Sequence, residues 1–132
     1  PIRNMKTISG AFEIDGPGGP IPLKPFRVGH GSIDSLGFRI GGLAYLPDVA
    51  EIYDAAWEDL QDLDIWILDA LRRSPHPTHS HLEQSLEWIA RAAPRQGILT
   101  NMHIDLDYNT VRDETPDNVI PAYDGMTLSL EI

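Results

Sequence analysis

The chain has 132 residues, 42% of them apolar and 23% charged, enough for one packed domain or a large part of one. Twenty acidic against ten basic side chains leave a net charge of −10, a surface that repels nucleic acid and anionic membrane. Without cysteine there are no disulfides, thiolate metal sites or cysteine nucleophiles.

No apolar run is long enough to span a bilayer and no opening segment reads as a signal peptide, so the cytoplasm is the default compartment. The opening at Pro1 rather than Met is what a lost or removed beginning would leave. In chain order, residues 6–14 read as a strand, turning at Gly16-Pro17-Gly18-Gly19-Pro20 into a hairpin partner over 23–28. That partner runs into Gly29-His30-Gly31. Two short strands follow, 36–40 and 43–46, separated by Gly41-Gly42. A helix is expected from Asp48, because Val49, Ile52, Tyr53, Ala56, Trp57 and Leu60 share one face at helical spacing.

Residues 65–68 form a short, continuously apolar run, the pattern of a strand buried on both faces, and it ends at Asp69. A loop rich in Pro and His leads to a second helix with Leu82, Leu86, Ile89, Ala90 and Ala93 inward, and Ser80 with Glu83 fits a capping box. A strand over 97–100, a polar helix over 107–114 and a last strand over 126–130 complete the chain. Strands alternating with helices predict an α/β layered fold, a mixed sheet with flanking helices.

Ligands of open α/β sheets collect at the carboxyl ends of strands. His30, Asp48, Asp69 and His103 stand at such ends. Imidazole and carboxylate without sulfur suit zinc, manganese or iron. Each residue also has a plainer reading: Asp48 with Glu51 as a helix cap, Asp69 as a strand terminator, His30 as a turn residue. His76, His79 and His81 crowd one loop, where a solvated surface is the plain alternative. His79 and His81 flank the start of the second helix, a place that favours an anion and makes His81 a candidate substrate-binding residue. A phosphate-binding loop lacks its Lys-Ser/Thr, and no G-x-S-x-G elbow occurs.

Six pieces in order resemble the second half of the metallo-β-lactamase superfamily, and most closely its phosphoribosyl cyclic phosphate phosphodiesterase branch. They are Val28-Gly29-His30-Gly31 with Ser35-Leu36-Gly37-Phe38-Arg39-Ile40, Leu43-Ala44-Tyr45-Leu46-Pro47-Asp48, Trp66-Ile67-Leu68-Asp69-Ala70-Leu71, Thr78-His79-Ser80-His81-Leu82, Ile98-Leu99-Thr100-Asn101-Met102-His103 and Tyr123-Asp124-Gly125-Met126. The resemblance implies the C-terminal half of an αββα sandwich and a site with two divalent metal ions, zinc or manganese. It further implies His30 as a ligand, Asp48 as the bridge between the ions, and a His after the last core strand. That strand ends Leu99-Thr100-Asn101 where the family has Leu-Thr-His, so His103 is taken as the substitute. The resemblance places Asp69 and His79 beside the metals as the catalytic pair, with His79 at the phosphate or leaving group.

The family's H-x-H-x-D-H loop occurs nowhere in these residues, so the chain is expected to be the C-terminal portion of a single domain and inactive alone. The expected activity of the intact protein is hydrolysis of a small cyclic phosphate or nucleotide-like phosphodiester. A thioester or lactam hydrolase of the same fold, or a non-catalytic fragment associating through its exposed sheet as a homodimer, are the rival readings.

Overall fold

The computed structural model describes residues 3–131. β1 (Phe12–Gly16) and β2 (Gly19–His30) form an antiparallel hairpin, closed where Gly16 faces Gly19. β3 (Ile33–Ile40) and β4 (Leu43–Leu46) continue antiparallel. β5 (Ile65–Asp69), β6 (Gln96–Thr100) and β7 (Val119–Pro121) then add in parallel. All seven strands lie in the sheet in the order of the chain.

Parallel neighbours need crossovers. Here these contain a 3-10 helix (Asp54–Leu60), α1 (Leu82–Ala92) and α2 (Tyr108–Glu114). Crossovers are overwhelmingly right-handed, and three that step the same way leave their helices on one side of the sheet. On that side Ala44, Leu46, Trp66, Leu68 and Leu99 join Trp57, Leu60, Leu82, Ile89 and Val111 in one buried core. Gly97 makes room for it, since a Cβ there would lie 2.9 Å from the Ile89 side chain. The mixed sheet with flanking helices is the fold class expected from the sequence. Among the described residues no helix is long and apolar enough to cross a membrane.

Four local expectations fail for identifiable reasons. Pairing of the first strand begins only at Phe12, because the chain bends at Gly10. No helix starts at Asp48. Instead the Gly29 N–H donates to the Glu51 carbonyl at 2.9 Å, and the Gly29 carbonyl accepts from Ala50 at 2.8 Å. This ties the segment to β2 as a strand-like bridge and postpones the helix to Asp54. Glycine eases the approach, since a Cβ would stand 3.0 Å from the Tyr53 hydroxyl and 3.2 Å from the Glu51 Cβ.

Residues 126–130 alternate as a strand does, with Met126, Leu128 and Leu130 half-buried, yet they join no ladder. The seventh strand is Val119–Pro121, three residues that include a proline. The capping box also fails. His81 precedes α1, no side chain caps it, and the Ser80 hydroxyl points inward to the Asp69 carbonyl at 2.7 Å.

Candidate metal centre

β2, β4, β5 and β6 run in one direction, so their carboxyl ends share an edge of the sheet. There His30, Asp48 and His79 each offer a ligand atom, all within 4.8 Å of one another. The His30 and His79 rings meet edge to face, 4.7 Å between centroids. Asp48 Oδ1 lies 3.9 Å from His79 Nδ1.

Each ring is wired from behind. His30 Nδ1 sits 2.5 Å from the Thr78 carbonyl, which can only accept, so Nδ1 carries the proton and Nε2 the lone pair. His79 Nδ1 donates to Asp69 Oδ2 at 2.7 Å, which leaves Nε2 free in the same way. Asp69 is fully buried at the end of β5. Its Oδ2 also accepts from the Val49 N–H at 3.2 Å, and Oδ1 accepts from the Asn101 amide at 3.2 Å. Burial pushes the Asp69 carboxyl above the ordinary carboxylate range, while bonds from His79, Val49 and Asn101 pull it back. Asp69 is thus enclosed by donors and positions His79. Behind it the Ser80 and Ser85 hydroxyls hold its carbonyl at 2.7 and 2.6 Å.

Asp48 is more open, its side chain half exposed. Its backbone is fixed by the Ser35 hydroxyl, which donates to the Asp48 carbonyl. The residues present fit a divalent cation: two imidazoles with one nitrogen anchored and the other free, plus one carboxylate and no sulfur. A carbonyl or carboxylate behind each ring is the arrangement that orients metal-bound histidines.

The structure does not bring His103 to this group. Asn101 adopts a left-handed backbone, φ 60°, and the His103 N–H then binds the Leu71 carbonyl at 2.7 Å. The His103 ring is turned out beside Asp105, with 61% of its side chain exposed. Asn101 reaches the centre instead. Its amide nitrogen faces Asp69 and also the Pro47 carbonyl at 3.4 Å, both acceptors, which fixes the amide orientation. The signal was the Thr100-Asn101 position at the strand end. His81 lies half-buried at the start of α1, with its carbonyl bound by Ser85 and its backbone bridged to Arg72. His76, given no role in the sequence reading of the crowded loop, lies beside His79, 5.4 Å between ring centroids. Desolvation, with Arg72, His79 and His30 nearby, holds its imidazolium below the ordinary value.

Residues 2–104 match the family described as the beta-lactamase superfamily domain. The chain belongs to that family. A crystal structure of a diphosphatase from the PhnP family superposes with a TM-score of 0.89 at 35% identity, over 96% of this chain and 48% of that one. Zinc-bound PqqB from Methylobacterium extorquens superposes at 0.67 and 17% identity, over 95% of this chain and 55% of that one, a likeness of fold. An octanoyltransferase of Porphyromonas gingivalis is 28% identical over 109 residues, 80% of this chain and 22% of that protein. The chain therefore spans about half the length of these solved structures and less of the octanoyltransferase.

Proposed function

We propose that this chain contributes His30, Asp48 and His79 to a centre of two divalent ions, zinc or manganese, that hydrolyses a small phosphodiester. The observation that carries the reading is the trio itself, with each imidazole anchored at Nδ1 and free at Nε2. The 35% identity to a diphosphatase supports phosphorus rather than acyl carbon as the reacting centre. Bound ions supply Lewis acidity, which lowers the pKa of water and neutralises phosphate oxygens.

The chain's own residues then divide the work. His30 and Asp48 would hold the ions, with Asp48 as their shared carboxylate. His79 Nε2 would take the proton released by the attacking water and pass it to the departing oxygen, while Asp69 stabilises the charged ring and keeps it in place. With His79 reserved for proton transfer, His30 and Asp48 are too few donors for two ions. The remaining ligands are assigned to residues beyond this chain, which is read as the C-terminal portion of a single metallo-β-lactamase-like domain. Its match to 48% of the diphosphatase supports that reading.

The test loads the full protein with zinc or manganese and follows bis(p-nitrophenyl) phosphate against a thioester. Phosphodiester hydrolysis is expected, with metal content and turnover both lost in His30→Ala and Asp48→Ala. In His79→Ala metal is expected to stay while turnover falls; metal loss there would make His79 a ligand. Turnover of the thioester alone would sink the reading. A diphosphate belongs in the same assay, because the similar solved structure is a diphosphatase.

A further inference from the structure

One imidazole beside the centre has no part in the scheme above, and its wiring is the reverse of its neighbours'. His76 Nδ1 lies 3.3 Å from the Thr78 backbone N–H and 3.3 Å from the Thr78 hydroxyl. An amide N–H can only donate, so His76 Nδ1 bears the lone pair and the ring's proton sits on Nε2. His30 and His79 carry the opposite tautomer, because a carbonyl and a carboxylate hold their Nδ1–H. Of three adjoining imidazoles, two thus keep a lone pair at Nε2 and one keeps an N–H.

Thr78 sets both states at once. Its carbonyl fixes His30 as an acceptor, and its N–H and hydroxyl fix His76 as a donor. The loop that carries Thr78 is held on every side. Arg72 donates to the Ser74 and Pro75 carbonyls at 3.0 and 2.5 Å, and Pro75 and Pro77 restrict the backbone around His76. Gly31, at φ 71°, admits the Thr78 methyl to within 2.5 Å of where a Cβ would be. A ring held this firmly cannot offer Nδ1 to a cation without giving up both Thr78 contacts. Its Nε2–H is suited to an oxygen bearing negative charge.

We propose that His76, through Nε2–H, binds a non-bridging oxygen of the substrate's phosphoryl group beside the ions. This rests on the phosphodiester reading and adds to it a third imidazole that recognises substrate and leaves the metal alone.

The experiment is paired titration of the zinc-loaded full protein with inorganic phosphate, and of the metal-free protein with zinc against a chelator. His76→Ala should weaken phosphate binding by about tenfold or more while zinc affinity stays within about twofold, the loss expected for one charge-assisted hydrogen bond. His76→Gln, whose amide N–H can stand where Nε2 does, should recover most of the loss, and the shorter His76→Asn should not. Phosphate affinity unchanged in His76→Ala, or no difference between the Gln and Asn variants, overturns the proposal. A parallel fall in zinc affinity makes His76 a ligand and overturns it too. If the unsubstituted protein holds zinc but takes up no phosphate, the phosphodiester reading fails together with the donor, an outcome distinct from the others.

Discussion

Two loops at the carboxyl edge of the sheet carry histidines, and they treat them oppositely. In the loop before α1, His76 and His79 each have one nitrogen bound by Thr78 or Asp69, and His30 across from them is bound by the same loop. In the loop after β6 the backbone of His103 binds the Leu71 carbonyl, and its exposed ring lies 3.5 Å from Asp105. The residue type is the same. The difference lies in the partner of the second nitrogen, which fixes the tautomer and direction of the first. What stands behind a histidine therefore decides where its free nitrogen points.

Removing the support behind His79 should have the largest effect. Asp69→Asn keeps the shape but replaces one acceptor oxygen with a donor, and should lower turnover by about a hundredfold or more in a protein that still folds by circular dichroism. Near-normal turnover would erase the contrast between the two loops. Next, His30→Ala should weaken zinc binding by about tenfold or more and His103→Ala by less than about twofold, read by chelator competition. Equal losses would restore His103 as a ligand.

A smaller change sharpens the comparison from the backbone side. Gly31→Ala forces a Cβ onto Thr78 at a positive φ and should cost about 1–2 kcal/mol, read as a lower Tm. The smallest effect belongs to the exposed loop. Asp107 caps α2 by accepting from the Thr110 N–H and hydroxyl, both at 3.0 Å, and these bonds hold its carboxyl below the ordinary range. A folded-state pKa that is lowered contributes stability above the unfolded value and loses it as pH falls through the folded one. The protection of the Thr110 amide, its exchange rate relative to an unstructured chain at the same pH, should therefore fall on acidification, and Asp107→Asn should abolish that dependence. A pH-independent protection in the wild-type protein would refute the cap.

Most of the fold was legible because apolar runs and turn residues mark strands locally. The strands expected over 65–68 and 97–100 stand where expected, and α2 with its cap Asp107 fills the expected 107–114. What failed depended on partners far along the chain. The residues after Asp48 have helical spacing, but Gly29, about twenty residues earlier, claims their backbone. Ser80 has the right neighbour for a capping box, but the Asp69 carbonyl draws it inward. In the site, position at strand ends singled out His30, Asp48, Asp69 and His103, while His79 came from the crowded histidine loop and the family resemblance. His103 misled because the reversal at Asn101, a single backbone angle, decides which side chain faces the centre.

The strand order has a consequence for how the molecule is made. Because β1 through β7 lie side by side in the order of the chain, each strand from β2 onward finds its partner already made when it leaves the ribosome. None must wedge between two finished neighbours. Synthesis at about 5–20 residues per second is slow beside hairpin closure in about 1–10 μs, so the sheet can grow at one edge as it emerges. The centre then assembles in sequence: His30 first, Asp48 next, Asp69 with its histidine loop after that. The amide of Asn101 arrives with β6, and only then is every oxygen of the Asp69 carboxylate engaged.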